Sequence, residues 1–188
     1  GSINLSSPNA VNQVRNCADR GLKGIGELHL DHQLFGIGGY ELISPVIQEI
    51  RAKHLALSIH CSEPVGHLYP GKGSNTPEKL ETLLKLSEGL TLILSHWGGG
   101  LPFYGLMPEI RKLFKTVFFD TAASPFLYDR KIFEIVSSLV GPDRILAASD
   151  YPLLEFSRIK SEIEASNLPY DDKKLLLGGN TKVLFNLH

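Results

Sequence analysis

The sequence has 188 residues, 43% of them hydrophobic and 21% charged, with a formal net charge of −1. That fits one globular domain with a real core, and scattered lysines and arginines without a charged tail give no reason to expect a nucleic-acid or membrane partner. No apolar run approaches the ~20 residues of a membrane span, no signal-peptide pattern is present, and Cys17 and Cys61 make no disulfide or zinc-knuckle framework, so a reducing cytoplasm is expected.

Gly1-Ser2 reads as a cloning remnant, and the first element as a helix. Ser7-Pro8 sets an N-cap hydroxyl before a proline, Val11, Val14 and Ala18 follow at helical spacing, and Gly21 stops the run. Residues 24–28 form a dense apolar run. Ser44-Pro45 then opens a helix with Val46, Ile47 and Ile50 on one face, and a second apolar run covers 55–59. Thr76-Pro77 starts a third helix with Leu80, Leu83 and Leu84, which ends at Gly89. Apolar runs follow at 90–94 and 116–119. Ile132, Ile135, Val136 and Leu139 mark a helix closed by Gly141-Pro142, and a fifth run covers 144–148. Asn180 reads as the cap of a last helix carrying Val183, Leu184 and Leu187. The apolar runs do not alternate with polar residues, which is the pattern of strands buried on both faces of a parallel sheet sandwiched by helices. With no break in composition, residues 1–188 read as one α/β domain.

Each run ends on a polar residue: Glu27, His60, His96, Asp120 and Asp150. The intervals are 33, 36, 24 and 30 residues, close to the ~31 that a (β/α)₈ barrel of ~250 residues spends per unit. Such barrels gather the C-terminal ends of their strands on one rim, where chemistry is done. Five βα units are legible, three fewer than a whole barrel.

A histidine at a strand end is often a structural hydrogen-bonder, and an aspartate there is often the N-cap of the next helix. Two histidines in equivalent places with Asp150 in a third suggest instead a site for Zn²⁺, Fe²⁺ or Mn²⁺, a metal that would make hydroxide available at neutral pH. Glu27 would be costly at a strand end unless paired or metal-bound. His29, two residues on, is a candidate substrate contact or an exposed loop residue; His32 and His54 read as surface residues. The loop "SEPVGHLYPGKGSNTP" is long for a βα connection, and it offers Glu63, His67, Tyr69 and Lys72 to shape a pocket. Lys72 would suit an anionic substrate group. Trp97 and Asp120 are grouped with the substrate contacts, although Asp120 reads equally as a partner of a ligating residue or a structural carboxylate. The glycines at 98–100 would either clear space above the site or make a tight turn.

"SIHCSEP", "LSHWGGG" and "ASDYP", with "GIGEL" and "GGNTKVLFNL", resemble the amidohydrolase superfamily and within it the amidohydrolase-2 group of TIM-barrel metal-dependent hydrolases. The resemblance implies His60 as a metal ligand, His96 as a ligand or acid/base, Asp150 as the carboxylate that orients or deprotonates water, and Glu27 as an additional or bridging ligand. It implies a divalent ion, Zn²⁺ first and Mn²⁺ or Fe²⁺ as alternatives. The family's first strand carries His-x-His, which this sequence lacks, so the legible units correspond to strands four to eight and the chain is expected to be part of a longer protein. The expected activity is hydrolysis of a C–N, C–O or ester bond in a small molecule, with decarboxylation of a small carboxylated substrate as the alternative, and a catalytically incomplete binding fragment as a third. Open sheet edges make a homo-oligomer an expectation.

Overall fold

The structure is a computed structural model that describes residues 1–30 and 43–187; His32 lies outside them. Five strands form its sheet: β1 (Gly24–Leu28), β2 (Ala56–Ile59), β3 (Leu92–Leu94), β4 (Val117–Asp120) and β5 (Ile145–Leu146). All neighbours are parallel and the spatial order is the chain order, β1 to β5. A sheet wound in one direction without reversal is the wall of a (β/α) barrel; a doubly wound sheet would reverse its strand order at a switch point. The fold is α/β, a five-stranded portion of such a barrel.

Among the described residues, seven α-helices of five residues or more accompany the sheet: α1 (Ala10–Asp19), α2 (Ser44–Ala52), α3 (Pro77–Leu86), α4 (Ile132–Val140), α5 (Phe156–Ala165), α6 (Tyr170–Lys174) and α7 (Asn180–Phe185). Thr76 holds the N-cap position of α3 in extended conformation with Pro77 at the first helical position, as the sequence predicts, but its hydroxyl makes no capping hydrogen bond. Ser7-Pro8 does something else. The Ser7 carbonyl accepts the Ala10 N–H at 3.0 Å, so the pair closes a turn and α1 begins after Asn9. Asn180 is not a cap either: its side-chain amide donates to the carbonyls of Pro142 (2.8 Å) and Ile145 (2.7 Å), fastening the start of α7 to β5. Gly1, read as part of a cloning remnant, pairs with the edge of β1. It donates to the Gly24 carbonyl at 2.7 Å and accepts from the Gly26 N–H at 2.8 Å.

Register decides which face is buried. Leu57 sits opposite Leu92, and Ile59 opposite Leu94, which in turn faces Phe119. Those side chains merge with Ile47 and Ile50 of α2, Leu80 and Leu83 of α3, and Phe133 and Val136 of α4 into the core. The alternate residues Gly24, Gly26, Ser58, Ile93 and Phe118 are only partly covered. All of these but Phe118 border a cleft whose other side is Phe185 and Leu187. The expectation of strands buried on both faces is thus corrected: one face is fully covered, and the other carries small or polar residues over β1 and β2. Among the described residues no helix is long and apolar enough to cross a membrane.

Candidate metal centre

The ends of β1, β2 and β3 bring Glu27, His60 and His96 together. The pairing register slips between Ile25 and Leu28, and Glu27 sits in that irregular stretch. Its carboxylate Oε1 lies 2.9 Å from His60 Nδ1 and 3.5 Å from His96 Nε2. One donor atom from each of the three residues falls within 4.8 Å of the others. Both histidine side chains are buried, at 8% and 5% exposure, whereas the Glu27 side chain keeps 29%. One oxygen and two nitrogens converging beside an opening is a donor set suited to a borderline divalent cation.

The far sides of the two rings test that fit. His96 Nδ1 lies 3.1 Å from the Ala122 carbonyl, which can only accept, so that nitrogen carries a proton and Nε2 is the ring atom that faces Glu27, able to ligate once a cation displaces its proton. His60 Nε2 lies 3.3 Å from the Ser62 hydroxyl, which can accept from it and leave Nδ1 free to ligate. Ligating histidines are anchored this way through their second nitrogen. The residues present fit a divalent metal.

Electrostatics agree. Burial works against the charge on Glu27, but hydrogen bonds to His60 and His96 and their charges outweigh it and hold the carboxyl well below the usual range. Burial likewise opposes a charged His96, yet its hydrogen bond to Glu27 and the charges of Asp120 and Glu27 push its pKa up to about 9. In the metal-free protein a proton on His96 offsets the Glu27 charge. A cation would replace it.

Backbone strain gathers on the same rim. His96 and Trp97 both have φ of 55°, Ala123 has 56° and Asp150 has 66°. Side-chain-bearing residues occupy this left-handed region at a cost of about 1–2 kcal/mol each. Such strain clusters at functional sites, where the surrounding structure fixes it. The glycines resolve into a tight turn: Gly98, Gly99 and Gly100 continue the left-handed run, and a Cβ on Gly99 would collide with the Ser62 carbonyl oxygen.

A cavity of about 530 Å³ opens over the three donors. Glu27, His29, His60, His67, Tyr69, His96 and Asp150 all line it, with Pro70, Ala123, Phe126, Leu127 and Leu153 as an apolar wall. The His29 ring stacks on His60 with centroids 3.8 Å apart. Asp150 shares the cavity but stands outside the trio of converging donors. Helix α5 starts only at Phe156, after Glu155, so Asp150 caps no helix.

Four expected contacts lie elsewhere. Trp97 is fully buried, donates to the Ser124 hydroxyl at 2.6 Å and packs edge-on against Phe133. Asp120 is buried beneath the rim, where Oδ1 accepts the N–H groups of His96 and Ala122, both at 3.0 Å. Burial pushes its pKa up to about 6 against the lowering effect of His96. The Lys72 ammonium caps the carbonyls of Val65 (2.7 Å) and His67 (3.1 Å) in its own loop, so it does not line the cavity. Glu63 accepts the Tyr69 hydroxyl at 3.1 Å behind the pocket wall. Ser62, which anchors His60, and Phe126, which walls the cavity, were missed by sequence reasoning. Ser62 carried a signal, two residues beyond a strand-end histidine.

Comparison with known proteins matches the amidohydrolase family over residues 1–187. Several solved structures share the fold at low identity. 5-Carboxyvanillate decarboxylase from Sphingomonas paucimobilis is 19% identical, with a TM-score of 0.74 over 100% of this chain and 66% of its own. 2,6-Dihydroxybenzoate decarboxylase from Rhizobium is 16% identical, with a TM-score of 0.72 over 100% and 70%. Dihydroxybenzoic acid decarboxylase from Polaromonas, with bound manganese and the inhibitor 2-nitroresorcinol, is 18% identical, with a TM-score of 0.73 over 98% and 68%. The chain therefore spans about two thirds of these relatives' lengths. Comparison with curated proteins finds no match.

Proposed function

The chain belongs to the amidohydrolase family, and we propose that its rim holds a divalent metal ion, Mn²⁺ foremost, to act on a small carboxylated aromatic molecule and release its carboxyl group as CO₂. The observation that carries this reading is the convergence of Glu27, His60 and His96 beneath an apolar-walled cavity. Those three residues would hold the ion. When bound, it supplies Lewis acidity and an anchor for an anionic oxygen.

The chain's own residues account for the rest. Phe126, Leu127 and Leu153 form a wall suited to the face or edge of one ring, and the cavity has room for a single-ring acid. Among the described residues that line it there is no Lys or Arg, so a substrate carboxylate would be matched by the cation with help from His29 and His67. Asp150, on the cavity but outside the donor trio, is the proton carrier in this reading. As a carboxylic acid it gives its proton to the ring carbon while the bond to the carboxylate breaks and CO₂ leaves; a proton taken up from solvent then restores the acid, so each turnover consumes one proton. Placement of acid and substrate in one cavity is what makes such a transfer efficient.

Hydrolysis is the second reading, favoured by the same Asp150, whose ionised form can take a proton from water. A panel of dihydroxybenzoates and of aromatic amides and esters, offered to Mn²⁺-loaded protein, separates the two. Release of CO₂ that is lost in Asp150→Asn supports decarboxylation. Liberation of amine or alcohol without CO₂ replaces it with hydrolysis.

A further inference from the structure

The outer support of His60 comes from a loop. Ser62 Oγ lies 3.3 Å from His60 Nε2 and accepts the Gly73 N–H at 2.9 Å across the base of the 62–75 loop. Its side chain also acts on Tyr69, favouring that phenol's ionised form against the burial and the Glu63 charge that push it up to about 12, and Tyr69 donates to Glu63 at 3.1 Å. The Ser62 backbone is pinned as well. Its N–H donates to the Asn75 carbonyl (3.2 Å), the buried Asn75 amide donates to the His60 carbonyl (2.8 Å), and the Gly99 turn packs directly on the Ser62 carbonyl. Ser62 is itself fully buried. A hydroxyl so completely surrounded, touching a candidate ligand on one side and a cavity-lining tyrosine on the other, joins two parts of the molecule.

We propose that Ser62 is a positioning residue that couples the 62–75 loop to the metal site: it fixes the His60 ring for ligation and, through Tyr69 and Gly73, ties the order of the loop to occupancy by the cation. The inference rests on His60 being a metal ligand. Because coupling between two equilibria is reciprocal, a cation that holds His60 must steady the loop, and a steady loop must strengthen the cation's hold. The other nitrogen of a ligating histidine sets its orientation, and losing such a partner weakens metal binding by about 10- to 100-fold.

Lys72 makes the loop's order measurable. It is the sole trypsin site between Lys53 and Lys79, and its ammonium is tied to the Val65 and His67 carbonyls, so cleavage after it requires the loop to open. Mn²⁺ affinity by equilibrium dialysis and the rate of cleavage after Lys72, with and without saturating Mn²⁺, are compared in wild type, Ser62→Ala and Tyr69→Phe, each first shown to be folded by circular dichroism. In wild type, Mn²⁺ should slow cleavage about tenfold. In Ser62→Ala, affinity should fall about tenfold or more and protection should shrink to under about twofold. Tyr69→Phe keeps the contact between Ser62 and His60, so affinity should stay within about twofold while much of the protection is lost. Wild-type affinity and wild-type protection in Ser62→Ala overturn the coupling and leave the metal site standing. A wild-type chain that binds no Mn²⁺ overturns the metal site and the coupling with it.

Discussion

Asp120 holds His96 by its backbone: Oδ1 of the buried carboxylate accepts the His96 N–H at 3.0 Å, while the imidazole is fixed from another side by the Ala122 carbonyl. The same oxygen accepts the Ala122 N–H. One carboxylate thus sets the start of the strained turn and the carbonyl that orients the ring.

Replacing Asp120 by alanine would strand two N–H donors beneath the rim. The expected loss is about 2–4 kcal/mol of unfolding free energy, read from urea denaturation, together with weaker Mn²⁺ binding. Asp120→Asn retains an acceptor oxygen and should cost about 1 kcal/mol. Equal stability of Asp120→Ala and wild type would show that the carboxylate is dispensable to the turn.

Trp97 discriminates core from pocket. In Trp97→Phe the Ser124 hydroxyl loses its indole donor and a small void opens beside Phe133. Stability should drop by about 1–3 kcal/mol, while the affinity of Mn²⁺-loaded protein for a small aromatic acid stays within about twofold. A large loss of ligand affinity at unchanged stability would return Trp97 to the pocket wall.

Gly99→Ala places a methyl group at a φ of +59° and against the Ser62 carbonyl oxygen. The left-handed backbone alone costs about 1–2 kcal/mol, and the collision adds to it by shifting either Ser62 or the His96 turn. Gly21→Ala is the control, since a Cβ there meets nothing within 4 Å at a similarly positive φ of +79°. Thermal melts should rank Gly99→Ala clearly below Gly21→Ala; the reverse order would mean that the two loops are not in contact.

Metal affinity should rise with pH. Glu27 is held well below the usual carboxylate range and is ionised throughout, whereas His96, with a pKa up to about 9, carries a proton that the cation must displace. Below pH 9 each unit of acidification should weaken Mn²⁺ binding about tenfold. Without metal the sign is that of a raised histidine pKa: the stabilising contribution is present below the unfolded value of about 6.5 and is lost as pH rises through 9. Titration followed by the electron paramagnetic resonance of free Mn²⁺ at pH 6, 7 and 8 checks the first point. An affinity independent of pH would place the proton elsewhere.

The strands were legible because a dense apolar run closed by one polar residue has few other readings, and Glu27, His60, His96 and Asp150 followed from it. Helix α5 was not, because Ile159 and Ile163 are its buried residues and they make too thin a stripe to show helical spacing. Lys72 and Trp97 misled for a shared reason. A charge in a rim loop and an aromatic beside a ligand both look like binding groups, and only the fold reveals that one caps its own loop and the other turns into the core. The role of Asp120 depends on a backbone N–H 24 residues away, which no local pattern records. Ser7-Pro8 satisfies the rules for a cap and for a turn equally, and the hydrogen bond from Ala10 decides for the turn.

The most direct measurement is calorimetric titration of Mn²⁺ into the metal-free chain and its His60→Ala variant at pH 8. The account predicts one site per chain in the wild type and at least a hundredfold weaker binding in the variant, about 2.7 kcal/mol or more. Binding of equal strength in the two proteins, or none in the wild type, would contradict a metal centre built on Glu27, His60 and His96.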